Sequence, residues 1–386
     1  MVKAAIIGCG RIADSHASQM QRIPGCEIVG VCDREELMAK QLFERFRVKK
    51  YYSDMDQLLK EARPDVVHIT TPPQSHCDIA KRCLEFGCHV YVEKPFSLNT
   101  AEAEEMIALA EKKGLKITAG HDDQFRHSAR EMRQLVEQGY LGGQPVHMES
   151  YYCYELGETG YAKALVADKQ HWVRKLPGGL LQNIISHGIA RIAEFLTTDS
   201  PRVIAEGFVS PVLRKMGERQ LVDELRVIIS EADRTTAYFT FSSQMRPALH
   251  QFRIYGPKNG LVIDQDHETL IKLRGSRHKS YMEQFFPPAN FARQYLGNLG
   301  GNLRKFLKAD FHAKAGMKFL IESFYESIEK GKKLPISYRE ILLTSKIMDS
   351  IFQQLREQND ERQRLESSSF PGAKNGLADK VPASTF

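Results

Sequence analysis

The sequence predicts an α/β protein in two parts. Residues 1–122 read as a doubly wound parallel sheet, residues 123–358 as an α+β domain with a large open, mostly antiparallel sheet, and residues 359–386 as a polar, disordered tail. Three observations carry this. Short apolar runs alternate with helix-patterned segments through the first third, which is the pattern of βαβ units. Between residues 202 and 264 strand-like runs follow one another directly, joined by polar or Gly/Pro turns. At 386 residues the chain is also long enough for two cores.

Ala4 to Ile7 is apolar without polar alternation, as in a parallel strand buried on both faces. Gly8-Cys9-Gly10-Arg11-Ile12-Ala13 follows at once and reads as a dinucleotide-binding turn. Gly8 allows the tight turn, Gly10 lets the backbone approach a pyrophosphate, and Ala13 lets the next helix sit near the strand. Arg11 precedes and Ile12 opens that helix, whose free N–H groups would face the anion. Helix 12–22, strand 27–32, helix 35–46, a turn carrying Tyr51 and Tyr52, helix 55–61 and strand 65–70 come next. Helix 75–86, strand 89–92, helix 100–113 and strand 116–119 complete a Rossmann alternation, with ligands expected at the C-terminal edge.

Three strand ends carry chemistry. Asp33 stands where a carboxylate would accept both hydroxyls of an adenosine ribose and repel a 2′-phosphate, which favours NAD. Arg34 beside it, and Arg11, could instead hold that phosphate, so NADP stays open. Thr71-Pro72-Pro73 makes a rigid loop that either faces the nicotinamide ribose or simply connects strand to helix. His76, in the next helix's first turn, fits a neutral imidazole bonded to backbone. The third end, Glu93-Lys94-Pro95-Phe96, puts an ammonium at the lip of the crevice, with Lys94 biased to an extended conformation by Pro95. Taken alone, Lys94 reads as a surface lysine paired with Glu93.

After a helix over 128–138 and a break at Gly142-Gly143, a strand over 145–154 opens the second half. Trp172 begins a segment in which Gly178-Gly179 leads into a helix with Asn183 and His187 four apart on one face. An isolated helical histidine of this kind is first of all a core residue. Strands 202–209, 221–230, 235–243, 248–255 and 261–264 follow. Residues 272–308 are basic and aromatic, with Lys272, Arg274, Arg277, Lys279, Phe285, Phe286, Phe291, Tyr295, Arg304, Lys305 and Lys308. They suit either a wall that holds a diphosphate or a solvated insertion whose aromatics pack at an interface. Helices 311–330 and 338–358 close the fold, with Gly331 as a C-cap and Pro335 beyond it.

A net charge of +6 is too mild and dispersed for nucleic acid. No apolar stretch approaches about 18 residues, which argues against a membrane partner and for the cytoplasm. The seven cysteines form no C-x-x-C pair and no ligand spacing with histidine, so no metal is expected and they read as small buried hydrophobes.

G-C-G-R-I-A, T-P-P-Q-S-H, E-K-P-F and A-G-H-D-D-Q-F (Ala119 to Phe125) occur in the order and spacing of one family, and over residues 1 to about 200 the chain resembles the glucose-fructose oxidoreductase and inositol dehydrogenase (Gfo/Idh/MocA) proteins. The resemblance implies NAD(P)-dependent hydride transfer to or from a carbinol of a sugar, cyclitol or nucleotide sugar. It implies that Lys94 contacts cofactor and substrate hydroxyl, that His187 is the matched histidine and proton acceptor, and that His121, Trp172 and Asn183 join the substrate site. It also implies a homodimer or homotetramer built on the open sheet face. The chain departs from the family pattern at Asn183, where an aspartate is usual, at Ala190, and at Gln124 in place of arginine. Two alternatives therefore stand beside the dehydrogenase: an NADPH-dependent reductase of a keto sugar or other carbonyl, and a non-catalytic NAD-binding sensor.

Overall fold

β1 (Val2–Ile7) lies inside a six-stranded sheet because Ala4 to Ile7 bury both faces. In the computed structural model, which describes residues 1–154, 167–232, 234–275, 279, 281–312 and 314–368, the strand order is β3-β2-β1-β4-β5-β6, all parallel. The partners are β2 (Cys26–Cys32), β3 (Tyr51–Tyr52), β4 (Val66–Ile69), β5 (His89–Val92) and β6 (Ile117–Ala119). Tyr51 and Tyr52, expected in a turn, are the edge strand, paired with Val31 and Cys32. Two residues are too few for an alternation to register.

The crossover helices are α1 (Arg11–Met20), α2 (Glu36–Phe46), α3 (Met55–Ala62), α4 (His76–Glu85) and α5 (Thr100–Lys112). Local chemistry fixes their starts. Asp54 accepts Gln57 N–H to cap α3. Asn99 accepts Glu102 N–H at α5, while the Glu102 carboxylate accepts Leu98 N–H, a reciprocal cap.

After α6 (His127–Glu137), β7 (His147–Cys153) enters a seven-stranded sheet of order β13-β12-β11-β7-β10-β9-β8. Its members are β8 (Arg202–Phe208), β9 (Glu224–Ser230), β10 (Thr236–Ser242), β11 (Leu249–Tyr255), β12 (Asn259–Asp264) and β13 (Thr269–Arg274). Only the β7–β10 pair is parallel. Alternation sorts the faces: Val227, Ile229, Phe239 and Phe241 are buried, while Ile228 and Tyr238 are exposed. The short helices α7 (Gly179–Ile184) and α8 (Ser186–Ala193) cover the buried face, and α9 (Pro211–Lys215) precedes β9.

Where the sequence suggests a diphosphate-holding wall or a solvated insertion, β13 and α10 (Phe286–Leu307) form; Arg277 lies outside the described residues. α11 (Ala315–Lys330) then returns to the first sheet, where Leu320, Ile321, Phe324 and Tyr325 complete its core. Truncating a buried Phe such as Phe324 typically costs about 3–5 kcal/mol, so this C-terminal segment is integral to the N-terminal sheet. α12 (Tyr338–Ser368) packs Leu343, Ile347, Ile351 and Phe352 into the second core and runs ten residues past the expected end at Gln358. The expected tail from 369 onward lies outside the described residues. All seven cysteines are free.

Candidate active site

The cofactor end follows from two glycines with different jobs. Gly8 has φ +96°, and a Cβ there would lie 2.7 Å from both Cγ2 and the backbone nitrogen of Thr71. Gly10 is the N-cap of α1 in an extended conformation with no side-chain cap, and a Cβ there would meet nothing within 4 Å. The first glycine is demanded by the fold. The second keeps open the space facing the unpaired N–H groups of α1, as a diphosphate requires. At the end of β2, Asp33 accepts hydrogen bonds from Cys9 N (2.7 Å) and Glu35 N (3.0 Å), which fixes the carboxylate at the mouth of the turn. Arg11 and Arg34 are exposed, and Ile12 is half-buried. These residues fit a bound dinucleotide.

Histidine and glutamine side chains tie the next loops together. His76 lies between Thr71 O (2.9 Å from Nε2) and Pro95 O (3.0 Å from Nδ1); buried and neutral, it donates its one N–H to one of these carbonyls and packs against the other, at the junction of the Thr71-Pro72 and Glu93-Lys94-Pro95 loops. The backbone-bonded imidazole expected from the sequence thus acts as a strut. Gln74 reaches the carbonyl of Trp172 (3.3 Å), and Gln182 joins Gly178 N to Leu98 O. Trp172 is half-buried against Val173 and Leu180.

Glu93 is buried and accepts Lys94 N–H on Oε2 and His16 Nε2 (2.8 Å) on Oε1. Burial would raise its carboxyl, but His16 and Lys94 hold it down at about 2. Lys94 Nζ donates to the backbone oxygen of Asn183 at 2.9 Å, not to its side chain. Burial lowers the Lys94 ammonium, while Glu93 and Asp122 pull the other way.

His187 sits on α8 with Nε2 3.9 Å from Asp122 Oδ1 and Nδ1 3.7 Å from Asp123 Oδ2. Burial lowers it to about 3 despite Asp123, so the resting imidazole is neutral. His121 stands edge-on to it, ring centroids 5.8 Å apart, and both His121 ring nitrogens are buried without a partner among the described residues. Burial drops His121 to about 4. Lys94, His121, Asn183 and His187 therefore converge, while Trp172 is joined to the Thr71-Pro72 loop only through its backbone carbonyl and Gln74.

Four further charged groups belong to this site and do not stand out in the sequence. Asp122 and Asp123 lie inside the A-G-H-D-D-Q-F stretch, and their adjacency is the available signal. Burial pushes Asp122 up to about 6 against the pull of Lys314, whose Nζ is 3.6 Å from Oδ2. Asp123 goes the other way: burial would raise it, but His187, Arg191, 3.6 Å away, and the 2.9 Å hydrogen bond from Tyr152 OH hold it below the usual carboxylate range. Lys314 and Arg191 carry no sequence signal, because only the return of α11 and the burial of α8 bring them in. One donor atom each from Asp122, Asp123 and His187 falls within 4.8 Å of the others, a spacing a cation could use. The negative charge is instead answered by Lys314 and Arg191. Gln124, in the family's arginine position, is bonded to Glu194 (2.9 Å).

A six-stranded parallel sheet in this order, with a glycine turn and a C-terminal edge lined this way, defines an NAD-binding Rossmann oxidoreductase. The model of the oxidoreductase family with the NAD-binding Rossmann fold matches residues 2–121. The resemblance to the Gfo/Idh/MocA proteins read from the motifs is thus borne out by that match over residues 2–121. It is 23% identical over 311 residues to myo-inositol 2-dehydrogenase of Thermotoga maritima, covering 80% of this chain and 87% of that one. To D-glucoside 3-dehydrogenase of Escherichia coli it is 33% identical over 142 residues, 36% of this chain and 40% of that protein. The structure of the WlbA dehydrogenase from Bordetella pertussis in complex with NADH and UDP-GlcNAcA has the same fold, with TM-score 0.73 at 14% identity over 92% of this chain and 96% of that one.

Proposed function

We propose that this protein is an NAD-dependent dehydrogenase acting on a secondary hydroxyl of a sugar, cyclitol or nucleotide sugar, with residues 1–122 holding the cofactor and residues 123–358 shaping the substrate and oligomer surfaces. The observation that carries the reading is the meeting of Lys94, at the end of β5, with Asn183 and the His187–Asp122–Asp123 cluster. Bound nicotinamide supplies or accepts the hydride. The chain's own residues handle the hydroxyl. Lys94 keeps N–H groups beyond the one given to Asn183 and stabilises a developing alkoxide. Neutral His187, with Nδ1 toward Asp123, presents Nε2 as proton acceptor, and Asp122 beside it stabilises the imidazolium that forms. Asn183 contributes its backbone to this site, which leaves its side-chain amide for substrate hydroxyls.

The named relatives act on inositol and on a glucoside, and the WlbA structure carries a nucleotide sugar, which supports a polyhydroxylated substrate. The test is a titration with NADH followed by a screen of sugars, inositols and nucleotide sugars at the nicotinamide absorbance band. Turnover of one panel member is expected. Tight NADH binding with no turnover anywhere would replace the dehydrogenase with the sensor.

A further inference from the structure

We propose that α10 is an interfacial helix that docks this protein on an anionic membrane surface. Its attachment to β13 is made mainly by side-chain amides, with half-buried Phe291 on the same face. Gln294, Asn298 and Asn302, four residues apart, form one row, and the first two pair with β13 as another strand would. Gln294 Oε1 accepts Lys272 N–H (2.7 Å) and its amide donates to Lys272 O (3.2 Å); Asn298 does the same with Leu270 N and O, both at 3.0 Å. Asn302 donates to His267 O (3.0 Å). The polar groups of the sheet edge are thereby satisfied by amides, and most of the helix's large apolar residues take no part.

Those residues are turned outward. Tyr295, Leu296, Leu299, Leu303, Phe306 and Leu307 are each between 56% and 77% exposed. At 100° per residue they occupy one continuous arc of about 120°, centred about 120° round the helix from the anchoring amides. Between Phe286 and Lys308 there is no acidic residue, while Arg293, Arg304, Lys305 and Lys308 are all cationic. An exposed apolar arc of this extent is not left in water without a use.

The charge decides between occupants. A symmetric helix-to-helix contact with a second copy would place Arg293 and Arg304 of one copy beside the same residues of the other, with no acid in either helix to offset them. An anionic bilayer pairs with those cations and takes the apolar arc about 5–10 Å into the headgroup boundary. Such a helix lies in the interface plane and needs no spanning segment. Among the described residues no helix is long and apolar enough to cross a membrane.

The test is flotation of the full chain with vesicles of mixed phosphatidylglycerol and phosphatidylcholine, against phosphatidylcholine alone. Binding to the mixed vesicles is expected, weakened at least about 10-fold on the neutral ones and in high salt. Leu299→Glu/Leu303→Glu should abolish flotation, and Arg293→Glu/Arg304→Glu should weaken it about 10-fold or more. Both variants should keep NADH affinity within about 2-fold, since α10 lies outside the first sheet and its core. Absence of flotation by the wild type, or flotation unchanged by the leucine pair, overturns the proposal. So does a drop in oligomer size by light scattering in the leucine variant, which would assign the face to a second copy.

Discussion

Lys94 Nζ donates a 2.9 Å hydrogen bond to the backbone carbonyl of Asn183, so the edge of the first sheet and the helix leading to His187 share one contact. A carbonyl orients the ammonium without neutralising it, which a carboxylate partner would do. Lys94→Met should leave NADH affinity within a few-fold and lower kcat by about 10²–10³, the usual loss when one donor to a developing oxyanion is removed. Lys94→Arg should not restore it, because the planar fork cannot occupy the same point. A Lys94→Met enzyme with full turnover would remove the lysine from the chemistry.

Asp122 sets the expected pH dependence. It faces His187, Lys314, Asp123, Lys94 and Glu93, and burial raises it to about 6. Ionised Asp122 supports proton uptake by His187, so kcat/KM should rise as pH climbs through about 6, and Asp122→Asn should flatten that limb and lower the plateau about 10-fold. Stability runs the opposite way. A carboxyl raised from about 4 when unfolded binds its proton more tightly in the folded state, so stability falls as pH rises through about 4 to 6 and stays low above. Asp122→Asn should therefore be more stable than wild type at about pH 8, by about 1–3 kcal/mol in chemical denaturation, and the gain should vanish below about pH 4.

Much of this site is legible in the amino-acid order alone. Gly8, Gly10 and Asp33 announce themselves because turn geometry and cofactor chemistry restrict residue type at short spacing, whereas Lys94 stands out only through the E-K-P-F resemblance. The alternation of β1 to β6 is local for the same reason. The Asp122–Lys314 contact is not local: it joins positions 192 apart. Its existence depends on α11 packing on the first sheet, so closely that a Cβ on Gly316 would meet the Asp122 carbonyl at 2.3 Å. α10 does not read as a helix because Gly297, Gly300 and Gly301 lower its propensity. What holds it is the amide row of Gln294, Asn298 and Asn302 on β13, which no periodicity of apolar residues encodes.

The two glycines of the first turn should separate folding from cofactor binding. Gly8→Ala forces a Cβ into Thr71 at a positive φ and should cost about 1–3 kcal/mol or more of stability. Gly10→Ala meets no protein atom, so stability should change by no more than about 0.5 kcal/mol while NADH affinity falls at least 10-fold or so. Thermal unfolding and NADH titration on the pair check both halves. Equal NADH affinity in Gly10→Ala would mean that the dinucleotide does not approach there.

Asp33 should govern cofactor choice. Cys9 N and Glu35 N each donate to a different carboxylate oxygen, so Asp33→Asn keeps the side chain's size and one of these bonds but loses the other, the charge that repels a 2′-phosphate and one acceptor for ribose hydroxyls. NADH affinity should fall about 10-fold and NADPH affinity rise, aided by Arg34 and Arg11. Wild-type protein that binds NADPH more tightly than NADH would reverse this assignment.

Behind Lys94 runs a buried chain of linked polar side chains. Glu93 is ionised, so His16 Nε2 donates to it; His16 Nδ1 meets His68 Nδ1 (2.9 Å), and His68 Nε2 meets Tyr325 OH (2.7 Å). Burial keeps His68 far below its ordinary range, hence neutral. The chain ties α11 to the loop that carries Lys94. Tyr325→Phe keeps the ring packing but leaves a buried imidazole nitrogen without its hydrogen-bond partner, which should cost about 1–3 kcal/mol. His68→Phe/Tyr325→Phe removes both partners and should cost less than the sum of the two single changes, because no buried polar group is then stranded at that link. Additive losses in denaturant unfolding would mean that the two groups are not coupled and that the chain is only a set of neighbours.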